Sequence, residues 1–254
     1  MNNMSFAALK KLNLTPLSKR VSVVLLLGAV ALVAISGILY LWVLLTGFEK
    51  ASWQYGAWNR FSVALESNIA AWYAGALWLT LAYALAFIGV IADRKRINWF
   101  LLSAVAVYAA IDEITVLHEY YFLLGDHIAK LLPFIPVSYT WVLIGIPLAL
   151  LVLVLSLPLV KILPRGVSNG LFLAGGTFLL GAIVFETIGG HIEILHNYDI
   201  TWHFMLEVHA EELLEFCGVI FAIAAVLQMA VVDRTATGFH LRFRGYADAV
   251  PQAA

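Results

Sequence analysis

The sequence predicts an all-α, polytopic membrane helical bundle with six transmembrane helices and both termini in the cytoplasm. Of the 254 residues, 63% are hydrophobic and 12% are charged, a composition outside the range of soluble globular domains. Six segments reach the roughly 20 apolar residues that a helix needs to cross a bilayer. Their apolar runs are continuous rather than alternating, so the sequence does not fit a transmembrane β-barrel.

The first, second and fourth segments carry no charged residue and lie near residues 21–45, 67–92 and 138–160. The first, from Val21 to about Thr46, is longer than the core of a signal peptide. We interpret it as a retained helix, with cleavage near residues 34–37 as the alternative.

The expected organisation has three parts. These are a cytoplasmic segment over residues 1–20, a transmembrane domain over 21–232 and a cytoplasmic tail over 233–254. The two flanking segments are too short to be domains.

The distribution of basic residues predicts the orientation. When the connections are assigned alternately to the two sides, twelve lysines and arginines lie on one side and three, Lys50, Arg60 and Lys130, on the other. The positive-inside rule then places both termini in the cytoplasm. The connections over 46–66, 124–137 and 197–202 face outward. We expect a bacterial inner membrane protein.

The third, fifth and sixth segments contain acidic residues and histidines. A charged side chain in the hydrocarbon core costs ~2.5–3.5 kcal/mol even on lenient insertion scales. These carboxyl groups must therefore be partnered, protonated or bound to metal. With the predicted orientation, all of them lie in the outer half of the bilayer, toward the periplasmic or extracellular side. They are Asp112, Glu113, His118 and Glu119; Glu186, His191, Glu193 and His196; and Glu207, His209, Glu211, Glu212 and Glu215.

Helical spacing groups these residues further. At about 100° per residue, Asp112 and Glu119 share a face of the third helix if that helix is continuous. Glu193 and His196 form a Glu-x-x-His pair, the spacing with which one helix supplies two ligands to a di-iron or di-manganese centre. Gly189 and Gly190 are a candidate break in the fifth helix.

The pattern predicts a divalent metal site. Iron or manganese fits the carboxylate-rich set best and implies oxidation or desaturation, whereas zinc implies hydrolysis. We assign His118, His209 and Glu212 to proton transfer or to hydrogen bonds behind the ligands. The candidate ligands are Asp112, Glu119, Glu186, Glu193, His196, Glu211 and Glu215.

Simpler interpretations remain open for the same residues. The glutamates of the sixth helix could belong to a partly solvated helix end, and Asp112 or Glu113 could make a structural hydrogen bond. Glu66 could either cap the second helix at its start or take part in the site. Haem ligation would need facing histidines but not so many acids.

Other functional classes lack support in the sequence. There is no glycine-rich phosphate loop, dinucleotide fingerprint or Gly-x-Ser-x-Gly elbow. The net charge of −1 and the scattered basic residues do not indicate nucleic-acid binding. Cys217 is the only cysteine, so the chain has no internal disulfide.

Four fragments resemble an uncharacterised group of prokaryotic multi-pass membrane proteins. That group similarly pairs Asp-Glu with a downstream His-Glu and ends with a Glu-Glu-x-x-Glu helix, which implies that these acids belong to one site. The fragments here are Glu66-Ser-Asn, Ile111 to Glu119, Phe185-Glu186 and Glu211 to Gly218.

A fainter similarity links the chain to the alkaline ceramidase superfamily of membrane zinc hydrolases. It rests on a Glu near an early helix and an Asp-Glu in a later one. That family's His-x-x-x-His pair is missing, since His191 and His196 are five residues apart.

These observations give three hypotheses. The first is a metal-dependent membrane enzyme that acts on a lipid or other hydrophobic substrate entering from the bilayer. The second is a proton-coupled or cation transporter with the acids as a relay, which would need ionisable groups continuing to the cytoplasmic side. The third is a membrane subunit whose polar cluster holds a partner's helix. The oligomeric state is left open.

Overall fold

The computed structural model describes residues 15–131, 138–235 and 238–247. It is 78% helical, which confirms the predicted all-α class. Short connections separate the regular elements. These are α1 (Pro16–Thr46), α2 (Trp53–Phe61), α3 (Ile69–Ile91), α4 (Arg96–Thr115), a 3₁₀ helix (Leu117–Tyr121), α5 (Phe122–Leu131), α6 (Val142–Val160), α7 (Arg165–Leu179), a π segment (Leu180–Phe185), α8 (Glu186–Leu195), α9 (Trp202–Leu227), β1 (Ala230–Thr235) and β2 (Gly238–Phe243).

Within the described residues, five helices are long and apolar enough to cross a membrane: α1, α3, α4, α6 and the continuous helix formed by α7, the π segment and α8. Their outward faces expose large apolar side chains, such as Leu45 (84%) and Tyr83 (73%). Apolar surface on this scale suits a lipid environment rather than water. The fold is therefore consistent with a multi-pass membrane protein.

Helix α9 lies at the centre of the bundle. It packs against α1, α3, α7, the π segment and α8. Its last three turns are almost entirely apolar, and Phe216, Ile220 and Ile223 are at most 2% exposed. Its first half carries Glu207, Glu211, Glu212 and Glu215. The helix with the most acidic residues is thus also the one with the most neighbours.

The connections that the sequence analysis assigned to the cytoplasmic side meet at one end of the bundle, here called the basic end. The Ser18 hydroxyl donates to the carbonyl of Ala224 (2.7 Å), which joins the start of α1 to the end of α9. The Tyr246 hydroxyl donates to the carbonyl of Arg94 (2.6 Å). The amide of Ala247 donates to the carbonyl of Ile162. The connections with most of the basic residues therefore meet at the same end.

A β-hairpin follows α9 at the basic end, where the sequence analysis expected only a tail. Strands β1 and β2 are antiparallel, with Val232 opposite Leu241 and Asp233 opposite His240. The guanidinium of Arg242 donates to Asp233 at 2.9 Å. The hairpin adds a small strand element to an otherwise helical protein.

The third predicted segment is not one continuous helix. Helix α4 ends at Thr115, and Val116 takes a left-handed conformation with φ of 56°. This conformation is strained for a β-branched residue. The prediction that Asp112 and Glu119 share a helix face is therefore wrong, because the chain turns between them. Glu119 lies in the 3₁₀ helix and is exposed.

The fifth segment is irregular at a different place from the one predicted. Helix α8 continues through Gly189 and Gly190 to Leu195, so the predicted break is wrong. The irregularity lies one turn earlier, in the π segment. A π turn adds a residue to a helical turn and is frequent at functional sites.

Close packing between α9 and α7 depends on Gly218. A Cβ at this position would lie 2.6–2.8 Å from Cβ, N and Cα of Phe178. Backbone atoms cannot move aside as a flexible side chain can. We expect Gly218→Ala to lower the free energy of unfolding by about 1–3 kcal/mol, as overpacking usually does.

The measurement is thermal unfolding of the detergent-purified protein. Gly175→Ala is the matched control, because a Cβ at Gly175 in α7 meets no atom within 4 Å. The control should keep or raise the melting temperature, since alanine favours helix over glycine. Equal melting temperatures for wild type and Gly218→Ala would contradict the packing of α9 on α7.

Candidate functional site

Carboxyl groups from four parts of the chain converge at the end of the bundle opposite the basic end. They come from the start of α3, the end of α4, the start of α8 and the first half of α9. Each interacts electrostatically with at least two of the others. We call this set, with His118, the acid cluster: Glu66, Asp112, Glu113, Glu186, Glu211, Glu212 and Glu215.

The strained turn at Val116 brings His118 back onto Asp112. The backbone N–H of His118 donates to Oδ1 of Asp112 (2.7 Å), and its ring Nδ1 lies 2.9 Å from Oδ2. The imidazole also lies against Trp141, with ring centroids 4.9 Å apart. His118 thus makes two contacts, one through its backbone and one through its ring, with the carboxylate of a residue six positions earlier. A continuous helix would not allow both contacts.

His118 and Glu66 both lie beyond the ends of the membrane helices, and the cluster shifts both pKa values. Burial by itself would lower the pKa of His118. The hydrogen bond and charge of Asp112, with the charges of Glu186 and Glu66, outweigh burial and raise it above its ordinary value. Burial is the largest effect on Glu66 and raises its pKa. His118 opposes this shift, and the carboxylates of Glu119, Glu186 and Asp112 add to it.

Two glycines let three glutamates of α9 approach the π segment and α8 closely. A Cβ at Gly181 would lie 2.8 Å from Cγ of Glu215 and 2.9 Å from the carbonyl oxygen of Glu211. A Cβ at Gly189 would lie 2.5 Å from Oε2 of Glu207. The three glutamates therefore pack directly against the glycine-bearing face of the π segment and α8.

Tryptophan N–H groups bind two of the buried carboxylates. Nε1 of Trp78 donates to Oε1 of Glu113 at 3.0 Å, and Nε1 of Trp141 donates to Oε1 of Glu186 at 3.2 Å. Indole is an apolar ring with one donor, so it can bind a carboxylate inside a membrane bundle without adding charge. Glu186 is also the group that interacts most strongly with Glu211 on α9.

Glu113 and Glu215 face a common small void. It lies between α3, α4, α7 and α9, where Trp78 and Phe178 also line it. The void has no room for a water molecule. No water molecule in this void can therefore replace the hydration that Glu113 and Glu215 lose on burial.

The predicted Glu-x-x-His pair does not converge. Glu193 accepts a hydrogen bond from the hydroxyl of Tyr139. His196 lies just past the end of α8, and its ring stacks on His203 with centroids 5.5 Å apart and planes 12° apart. The two side chains of the pair therefore face different neighbours.

Two other residues on α9 lie apart from the acid cluster. His209 faces α1, where its Nε2 would lie 3.6 Å from a Cβ at Gly37, and its Nδ1 contacts the carbonyl of Met205 (2.5 Å). Both carboxylate oxygens of Glu207 are buried without a hydrogen-bond partner among the described residues, and so is Nε2 of His209.

Among the residues that the sequence analysis proposed, the structure brings six into one interacting group: Asp112, His118, Glu186, Glu211, Glu212 and Glu215. The sequence analysis did not single out Trp78, Trp141 and Tyr139. A buried indole or phenol needs a hydrogen-bond partner, so aromatic residues at the depth of the acids were the available signal. In the described part of the chain, no three or more His, Cys, Asp or Glu side chains are already arranged to hold a metal ion.

Comparison with protein families matches residues 24–229 to a domain of unknown function, DUF8692. The match covers well over half of the chain, from within α1 to just past the end of α9, and includes the whole acid cluster. The chain belongs to this family. No curated protein and no solved structure matches it.

The His118–Asp112 pair predicts a pH-dependent contribution to stability. A folded pKa above the unfolded value of about 6.5 stabilises the protein below that pH, and the contribution is lost as pH rises through the folded pKa. We expect the melting temperature of wild type to exceed that of His118→Gln most at mildly acidic pH. The difference should shrink above neutrality.

The experiment is a series of melting curves in detergent with a chelator, so that metal does not compete for the imidazole. His127→Gln is the control, because His127 is exposed on α5. A difference between wild type and His118→Gln that stays constant with pH would contradict the ion pair.

Proposed function

We propose that this member of the DUF8692 family is an integral-membrane metalloprotein whose acid cluster binds a divalent metal ion and supports a metal-dependent reaction on a lipid or other hydrophobic substrate. The proposal extends the five apolar helices to six membrane spans, with α9 as the sixth. Helix α9 has 26 residues, long enough to cross a bilayer, although its first half is acidic.

The observation that carries the proposal is the convergence of carboxyl groups, for which the described residues supply few basic partners. The charged groups that interact most strongly with the cluster carboxylates are other carboxylates and His118. Burying several like charges together is unfavourable unless a cation or protons neutralise them. A divalent cation neutralises two charges at once and binds carboxylate oxygens directly.

The donor chemistry favours a hard or borderline metal. Seven carboxyl groups and one imidazole match the ligands that manganese and iron take in helical bundles. When bound, iron or manganese would supply redox chemistry for oxidation or desaturation, and zinc would supply an activated water for hydrolysis. Glu186, Glu211 and Glu215 lie where α9 meets the π segment and α8 and are the ligands we favour, with Asp112 held by His118.

The proposed orientation follows from the two chemically different ends. The basic end faces the cytoplasm by the positive-inside rule. The acid cluster then lies in the outer half of a bacterial inner membrane, toward the periplasmic or extracellular side. The large apolar side chains exposed on the outward faces of the helices favour a substrate that enters from the lipid.

A proton or cation relay is the second candidate, and one pair of carboxyl groups favours it. Glu186 on α8 is the group that interacts most strongly with Glu211 on α9, so a proton could pass between the two helices. A relay must continue across the membrane. Within the described helices, the basic-end half of α9 from Phe216 to Leu227 has no acidic or basic residue, and α3 has none along its length. The metalloprotein proposal therefore has the stronger support.

Elemental analysis of the detergent-purified protein tests the proposal. We expect near-stoichiometric iron, manganese or zinc in wild type, and loss of most of it in the Glu211→Gln, Glu215→Gln double variant. Glutamine keeps the shape of the side chain but removes the charge that binds the cation. The identity of the metal then selects between oxidative and hydrolytic chemistry.

The matched control is the Glu49→Gln, Asp93→Asn double variant. It also removes two carboxylates, but both are exposed and lie outside the cluster. It should retain the metal content of wild type. A folded wild-type protein without metal after purification and metal reconstitution would overturn the proposal in favour of the relay.

A further inference from the structure

A cavity of about 300 Å³ opens beside the acid cluster, between the end of α2 and the start of α3. This is the lower end of the range for small-molecule sites, roughly 300–1,000 Å³. A cavity of this volume can accommodate one polar headgroup but not a whole lipid. Asn59, Arg60, Glu66, Ser67, Ile69 and Trp72 line it.

The rim of the cavity is held by Asn68. Its Nδ2 donates to the carbonyls of Asn59 (3.1 Å) and Ser62 (2.7 Å), and its Oδ1 accepts from the amides of Ala70 and Ala71. The preceding residue, Ser67, has a left-handed backbone with φ of 58°. These contacts fix the short connection that carries Glu66, so the cavity is a defined part of the fold.

Two opposite charges line the cavity without pairing. Among the described residues, Arg60 and Glu66 form no ion pair, with each other or with any other side chain. Unpaired groups of opposite sign on one wall complement a ligand that carries both charges. A simple anion or cation would satisfy only one of them.

The lining of the cavity also includes two apolar side chains from the first turns of α3. Trp72 is 66% exposed and Ile69 is 42% exposed. Tryptophan concentrates at the boundary between lipid headgroups and hydrocarbon. The charged and the apolar parts of the lining together match the two parts of a phospholipid. The headgroup would lie in the cavity, and the acyl chains would lie along α3.

Glu66 connects this cavity to the acid cluster. It interacts with Glu119, Glu186 and Asp112, and Glu212 and Glu215 of α9 sense its charge in turn. A ligand held at Glu66 therefore lies at the mouth of the site proposed for the reaction.

We propose that this cavity binds the headgroup of an aminophospholipid, with Arg60 holding the phosphate and Glu66 the primary ammonium. The inference rests on the proposed function, for which it names the substrate class. Guanidinium binds phosphate oxygens through two parallel hydrogen bonds. A primary ammonium donates three hydrogen bonds, whereas a choline headgroup has the charge but no N–H donor.

The test is lipid retention, with nanodiscs made of equal amounts of phosphatidylethanolamine and phosphatidylcholine. The protein is released into mild detergent and its bound lipids are counted by native mass spectrometry. Wild type should retain the ethanolamine lipid at least about tenfold over the choline lipid, the factor expected for one charge-assisted hydrogen bond. A separate preparation in nanodiscs that contain phosphatidylglycerol should retain less of that lipid, because its headgroup lacks a cation.

Two variants separate the charges. Arg60→Gln should lose retention of both lipids by removing the phosphate contact. Glu66→Gln should keep phospholipid but lose the preference for ethanolamine over choline. Lys50→Gln is the matched control, because Lys50 lies in the same connection but does not line the cavity. Equal retention of the two lipids by wild type, or no change in Arg60→Gln, would overturn the inference.

Competition distinguishes a lipid headgroup from a free anion. Inorganic phosphate added to the detergent sample should not displace the retained lipid, since it lacks both the ammonium and the acyl chains. Displacement by phosphate would overturn the inference in favour of an anion site. Metal content is measured on the same samples. Wild type that contains metal but shows no headgroup preference would refute only this inference. Wild type that prefers ethanolamine but contains no metal would refute only the proposed metalloprotein.

Discussion

The structure depends on one electrostatic constraint, the burial of several carboxyl groups on the central helix of a low-dielectric bundle. Lysine and arginine would be the usual partners, but the strongest interactions of Glu212 and Glu215 are with other carboxylates. Buried charges must be neutralised or paired. The surrounding structure supplies neutral donors instead of counter-ions, such as the indoles of Trp78 and Trp141. A divalent cation is the complement that we propose for this site.

Close helix contact makes this concentration of acids feasible. Gly181 and Gly189 remove the side chains that would otherwise separate α9 from the π segment and α8. The glutamates of α9 can then reach Glu186 on the neighbouring helix. Without water in the adjacent void, the interactions between these groups are strong in either direction, favourable with a shared proton or cation and unfavourable without one.

The ends of the bundle are chemically different, and irregular backbone builds the acidic one. The left-handed Val116 returns His118 to Asp112, and the left-handed Ser67 precedes α3 beside Glu66. Non-glycine residues in this conformation persist only where surrounding contacts hold them. In both places the irregular backbone places an ionisable side chain at the mouth of the cluster. The basic end is closed by the hairpin and the loops that contact it, and it too has a left-handed residue, Lys95.

The sequence by itself determined the all-α class, the apolar helices and the presence of one acid-rich region, because composition and 3.6-residue periodicity are local properties. The four-residue spacing of Glu211 and Glu215 also puts these two residues on one face of a helix. Only the tertiary structure decided which carboxyl groups meet. The turn at Val116 separates Glu119 from Asp112, and packing turns Glu193 toward Tyr139 and His209 toward α1. The physical reason is that helix ends and the direction of each face toward its neighbours depend on contacts between distant segments, which periodicity along one segment does not encode.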